Sequence, residues 1–286
     1  MANSKYISGL DLTELMVPTK AATVFAAQEA SLYMSGGLVP MMEVPAGSTQ
    51  IKVPKLAKVA DPTAMTSEAA TGVDIDTVIP VDSSVNLDLG LYASRSVVRD
   101  IGGISTDEIG RVLGNSIASA FDKKITTQFA SLTEQEIAGA AATTKLNVDH
   151  IFEAVGTIRG SGETGELFGI VGTNTYAELM NSIGGTAFAG GEFQNSAMRN
   201  GFFGKIAGVP LFVSSYLNDT DMGTSNKRPA AAIMSRDAVK GAMQGGVNLE
   251  IARRPEAVGF DIVASVAMGA NVVDSTRGVI IIDAQD

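Results

Sequence analysis

His150 is the only histidine among 286 residues, and cysteine is absent. A zinc cluster or a Cys-His pair therefore has no ligands, and a Ser-His-Asp triad would hang on this one side chain. It falls in the first turn of a helix expected after Asn147, so a solvated helix residue is the better reading than a catalytic base. Gly160-Ser-Gly162-Glu-Thr-Gly165 matches G-x-G-x-x-G letter for letter, but a chain with 31 glycines produces such matches by chance. A dinucleotide site needs strand, loop, then helix, so that the helix N-terminus faces the pyrophosphate. Here the glycines follow an expected helix and precede an expected strand at Leu167; we read a turn.

Gly204-Lys205 fails as a phosphate loop, since Arg199 stands where the first glycine belongs and Ile206 where Ser or Thr must reach magnesium. Asp219-Thr-Asp221-Met-Gly223 opens like a calcium loop, but glycine replaces an oxygen ligand and no closing glutamate follows. It reads as a surface turn. Lys52, Lys55 and Lys58 read as solubilising charge on an edge strand. No catalytic, cofactor-binding or metal-ligating residue is expected, no cofactor, and no enzyme activity.

Composition narrows the classes further. Hydrophobic residues make up 45% of the chain, ample for one large or two small domains, while aromatics are 6% with no tryptophan. Close backbone packing is favoured over a deep aromatic pocket. A net charge of −10 argues against nucleic-acid binding, which needs Lys and Arg on the phosphates. The absence of cysteine excludes disulfides and fits a reducing cytoplasm. Asp11 and Glu14 interrupt any signal-like apolar run near the start, and Ile262 to Val273 is far shorter than the roughly 18 residues of a membrane span, so a soluble protein is expected.

The elements that must position these residues follow from spacing. Thr19 to Ser35 reads as an arm helix stopped by Gly36-Gly37. Residues 45 to 96 read as two strands, around Ile51 and Val53 and over Val85, Leu87, Leu89 and Leu91, at the ends of a polar excursion from Ala60 to Thr77. Pro45 and Pro54 suit an edge. Such a ribbon is marginal alone in water, so it is expected to have nothing beside it in its own subunit and to be ordered by other copies. Ser105-Thr-Asp-Glu108 is a capping box, and Ile109, Val112, Leu113, Ile117, Phe121, Ile125 and Phe129 form one apolar stripe of a long helix.

After a break at 139 to 144, Asn147 caps a helix to Ile158, Leu167 to Val171 is a buried strand, and Asn174 caps a helix to Ile183. A Gly- and Asn-rich loop spans 184 to 203. Strands follow at Ile206 to Ser215, Ala230 to Met234, Val247 to Ile251, Phe260 to Val273 and up to Asp283. No repeat of 20 to 50 residues is visible.

This order resembles the major capsid proteins of tailed double-stranded DNA bacteriophages, whose fold is shared with encapsulin shells. The local match is Gly204-Lys-Ile-Ala-Gly208-Val-Pro210-Leu-Phe-Val-Ser214, which looks like the family's Gly-x-Pro strand start, followed by Ala230-Ala-Ala-Ile-Met-Ser-Arg-Asp237. The resemblance implies an α+β fold with an N-terminal arm (1–44), an extended loop (45–97), a peripheral domain with the spine helix (98–146), an axial domain (147–249) and C-terminal strands returning to the peripheral domain (250–286). It implies a structural subunit that self-assembles into pentamers and hexamers of an icosahedral shell around packaged double-stranded DNA, bound without sequence specificity, in a virion assembled in the host cytoplasm. The implied partners are further copies, a portal, decoration proteins and a separate scaffolding protein, because the arm begins within the first twenty residues; no membrane is involved. One branch of the family bonds a lysine of this loop to a neighbour's asparagine, a role for which Lys52, Lys55 and Lys58 are the candidates. The alternatives are an encapsulin-type compartment and a cytoplasmic α/β enzyme or binding protein whose ribbon dimerises.

Overall fold

The computed structural model describes residues 20–24, 26–27, 31–35, 37–56, 82–99, 106–137, 145–185, 205–222 and 227–284. In chain order the strands are β1 (Met41–Glu43), β2 (Gln50–Leu56), β3 (Asp82–Asp88), β4 (Gly90–Arg99), β5 (Thr133–Glu136), β6 (Leu167–Gly172), β7 (Lys205–Ile206), β8 (Val209–Ser214), β9 (Lys227–Ser235), β10 (Val239–Arg254), β11 (Gly259–Val272) and β12 (Gly278–Ala284). The helices are α1 (residues 20–24 and 26–27), α2 (Leu32–Ser35), α3 (Thr106–Gln128), α4 (Val148–Gly160) and α5 (Thr173–Gly185). Among the described residues the strands form a four-stranded sheet in the order β1-β10-β11-β4, a six-stranded sheet β5-β12-β9-β6-β8-β7, and the two-stranded ribbon β2-β3.

The long helix α3 lies against the four-stranded sheet. Ile109, Leu113, Ile117, Phe121, Ile125 and Phe129 are buried in one cluster with Ile262, Ala264, Val266 and Met268 of β11. Val112, expected on that stripe, is 61% exposed. The reason is a second buried row one residue on, at Gly114, Ala118, Asp122 and Thr126, which turns the buried face away from Val112. That second row meets the arm. A Cβ on Gly114 would lie 2.5 Å from the carbonyl oxygen of Thr23 and 2.6 Å from the Cβ of Ala26, so glycine is what lets α1 approach.

The arm is two helices rather than the expected single one over 19–35. Ser31 interrupts it, and the interruption is bonded to α3. Ser31 Oγ donates to Asp122 Oδ1 at 2.6 Å, accepts from Met34 N at 3.2 Å as an N-cap, and Leu32 N donates to Asp122 Oδ2 at 2.9 Å. Tyr33, fully buried, stands edge-on to Phe129 with centroids 5.9 Å apart and shares a 2.9 Å hydrogen bond with Thr126 Oγ1. Burial pushes the Asp122 carboxyl up from its ordinary 3.8, against the lowering effect of hydrogen bonds from Ser31, Leu32 and Tyr33.

In the six-stranded sheet β6 is buried throughout, and β12 alternates between two cores: Val279 and Ile281 pack with Ile151, Ala154 and Ile158 of α4, while Ile280 and Ile282 join the cluster around α3. Sheet membership differs from the expected segments at two points. β10 enters the four-stranded sheet from Val239, ahead of the expected boundary at 249, and β12 pairs within the six-stranded sheet while Ile280 and Ile282 reach the cluster around α3. The unbroken apolar run from Val279 to Ile282 gives the reason, since both faces of β12 need cover. Asn147 caps α4 as expected, but Asn174 lies inside α5, and its N–H donates to Asn218 Oδ1 at 3.4 Å. The expected strand 206–215 is a hairpin, β7-β8, turned by Ala207 and Gly208 at φ 52° and 78°. Ser105 of the capping box, the break at 139–144 and loop residues 186–203 lie outside the described residues.

Two outcomes follow for the arm. Gly114→Ala, which raises intrinsic helix propensity by about 1 kcal/mol, is expected to lower the unfolding midpoint and to increase proteolysis of α1. For Asp122, a raised folded-state pKa means its stability contribution is fully present below its ordinary 3.8 and is lost as pH rises through the raised value. The stability gap between wild type and Asp122→Asn should therefore shift in favour of the variant as pH rises, read by denaturant unfolding from acid to neutral pH; a pH-independent gap refutes it.

Candidate interaction surface

Two of the segments singled out for chemistry, at His150 and at Gly160–Gly165, make local hydrogen bonds. His150 is half-buried at the start of α4, where its Nδ1 accepts from Asn147 N at 3.2 Å while His150 N donates to Asn147 Oδ1 at 3.1 Å, a reciprocal cap. The Gly160–Gly165 segment is a helix-to-strand turn in which Arg159 Nη1 donates to the carbonyls of Glu163 and Gly165 at 3.0 and 2.9 Å. Arg199, Gly204 and Gly223 lie outside the described residues, and Lys205 sits at the start of the β7-β8 hairpin. Among the described residues no group of three or more His, Asp or Glu side chains is placed to hold a metal ion.

The ribbon is the part with no enzyme-like explanation. β2 and β3 pair antiparallel from Gln50 opposite Asp88 to Leu56 opposite Asp82; residues 57–81, with Lys58, lie outside the described residues. The expectation that this ribbon has nothing beside it in its own chain is overturned. Val53 and Leu87 are buried with Val44 and Ala242, against Met42, Ile51, Leu89 and Val273. The backbone of Asp88 passes so closely over Gly269 of β11 that any Cβ there would collide with it. Polar ties complete the seat: Asn271 Nδ2 donates to Asn86 O at 3.0 Å, and Gln244 Nε2 to Pro45 O at 2.8 Å. Lys55 Nζ lies 3.0 Å from Asp274 Oδ1. Burial works to raise the Asp274 pKa, yet hydrogen bonds from Thr276 and Lys55 hold it below the usual carboxylate range. Sequence reasoning missed this seat because its partners come from β10, β11 and the turn after β11.

The expected alternation over Val85 to Leu91 breaks at Leu89, between β3 and β4. Leu87 is buried in the ribbon base whereas Leu91, on the next strand, is 78% exposed. From there the faces of β4 separate: Tyr92 and Val98 pack toward α3, while Leu91, Ala93, Arg95 and Val97 face outward. Arg95 Nε donates to Asp261 Oδ1 at 2.7 Å, which raises the guanidinium's pKa and lowers the carboxyl's. Among the described residues β4 pairs only with β11, so it presents a long outer edge with exposed Leu91 and Val97, the kind of edge another chain can cover. Among the described residues this surface offers shape and backbone hydrogen bonds.

No protein-family model matches the chain, and no curated protein does. Solved structures do. The capsid of the cyanophage P-SCSP1u superposes with a TM-score of 0.65 at 14% identity, and the capsid of Ralstonia phage GP4 with 0.64 at 11%, each over 87% of both chains. A virus-like particle from Pyrococcus furiosus matches at 0.61 and 12% identity, over 92% of this chain and 97% of that one. The chain has the α+β fold of tailed-phage major capsid proteins.

Truncating Leu87 to Ala in the ribbon seat is expected to cost about 2–5 kcal/mol locally. Amide exchange should accelerate in β2 and β3 and stay unchanged in α3. Equal acceleration in both would show that the base is not a separate seat.

Proposed function

We propose that this chain is the subunit of a shell: a major capsid protein that assembles into pentamers and hexamers enclosing packaged double-stranded DNA. The observation that carries the reading is structural likeness to phage capsids over 87% of the chain. In this reading α3 with the four-stranded sheet forms the peripheral domain, and the six-stranded sheet with α4 and α5 forms the axial domain. Head-to-tail contacts between different faces of one subunit close into rings. The ribbon, seated on its own body at the base, crosses a neighbouring subunit beyond that base, so that many modest contacts sum to a stable shell. A net charge of −10 suits a wall that must not hold packaged DNA tightly. A portal, a scaffolding protein and decoration proteins are the further partners of such a shell, assembly takes place in the host cytoplasm, and catalysis has no part in it.

A second reading, a compartment shell without a genome, draws support from the virus-like particle match, which spans 97% of that chain. The contents of purified particles separate the two. Expressed alone or with its neighbouring genes, the protein should give rings or closed shells by size-exclusion chromatography and negative-stain microscopy. A stable dimer or tetramer at all concentrations would remove the shell reading in both forms, and protein cargo in place of DNA would decide for the compartment.

A further inference from the structure

The turn from Asp274 to Arg277 joins β11 of the four-stranded sheet to β12 of the six-stranded sheet, and four other parts of the chain converge on it. Lys55 of the ribbon reaches Asp274. Arg277 Nε lies 3.4 Å from Asp274 Oδ2 and 3.3 Å from Glu163 Oε2, in the α4-β6 turn, and its Nη1 lies 3.8 Å from Asp237 Oδ2, in the β9-β10 turn. Neutral bonds hold the same turn in place: Ser161 Oγ donates to Thr276 O at 3.1 Å and Thr133 Oγ1 to Ser275 O at 2.9 Å. Asp274 links the ribbon to Arg277. It takes Lys55, faces Arg277, and accepts from Thr276 N at 3.1 Å and Thr276 Oγ1 at 2.8 Å.

We propose that this turn is an ionic articulation, in which Asp274 and Arg277 couple the tilt of the ribbon to the relative placement of the two sheets. An isolated surface pair would carry little. Here the side chains of Asp274 and Glu163 are only 16% and 11% exposed, and one guanidinium faces three carboxylates. Charges in one shared network respond together, so a shift of the six-stranded sheet that moves Glu163 or Asp237 redistributes Arg277, and with it Asp274's hold on Lys55. The use of such coupling rests on the shell reading: subunits placed differently around a ring could set their ribbons differently without any change in the ribbon's apolar seat.

The test is amide exchange on the full-length unassembled chain. Arg277→Gln, a residue that does not touch the ribbon, should change exchange in Gln50–Leu56 by about threefold or more, and the change should vanish on a Lys55→Met background. One molar salt should shrink it as well, since the Debye length falls to about 3 Å. Glu163→Gln, which keeps a hydrogen-bonding side chain, should act in the same direction and serves if Arg277→Gln folds poorly. An unchanged ribbon in both variants, or an equal change with and without Lys55, overturns the articulation. Microscopy of wild-type assemblies is read separately, so loss of shells would count against the shell reading and leave the exchange result standing on its own.

Discussion

A helix lying on a sheet needs only one buried stripe, and α3 has two. The first, from Ile109 to Phe129, is apolar and meets the four-stranded sheet; the second, with Gly114, Asp122 and Thr126, meets the arm. Burying an aspartate is costly without partners, so Ser31 and Leu32 must stay where they are, and the arm must break into two helices to place them there. Tyr33 then closes over Phe129, in the same cluster that Ile280 and Ile282 of the six-stranded sheet join. The arm, the spine and both sheets thus share one core because a single helix is covered on two sides.

The ribbon inherits its position from that core. β10 and β11 are fixed by α3, and the base of the ribbon is laid across them, with Leu87 against Ala242 and Asp88 over Gly269. The placement of the ribbon base is therefore a property of the chain itself. The same holds for the outer edge β4, whose register on β11 runs from Gly90 opposite Met268 to Arg99 opposite Gly259. Both features that another copy would meet are rooted in the four-stranded sheet.

The sequence displays what is apolar and periodic, and conceals what is small, polar or brought from afar. The stripe of α3, the buried strand at Leu167 and the cap at Asn147 follow from period and composition and are present in the fold. The second row of α3 was invisible because glycine, aspartate and threonine leave no hydrophobic signal, and Val112 was misplaced for the same reason. The role of His150 is hidden in the sequence because a cap formed by its imidazole resembles no helix-start pattern of Ser, Thr or Asp followed by Glu. The ribbon seat was missed because Val44, Ala242 and Val273 stand far apart in sequence, and only the register of β10 on β11 brings them under Leu87.

In the shell reading, seating the base of the ribbon changes the energetic problem of assembly. A ribbon ordered wholly by neighbours would charge the backbone entropy of every residue, roughly 1 to 2 kcal/mol each, to intersubunit contacts that must also offset lost rigid-body freedom. With Val53 and Leu87 already buried in their own chain, much of that cost is met during folding. Neighbouring copies then need to stabilise only what extends past the seat. Contacts can stay individually weak, which lets misplaced subunits dissociate before a ring closes, while the number of contacts per subunit supplies the final stability. A partly anchored arm is in this respect better suited to accurate assembly than one with no attachment, because its orientation is selected before any partner arrives.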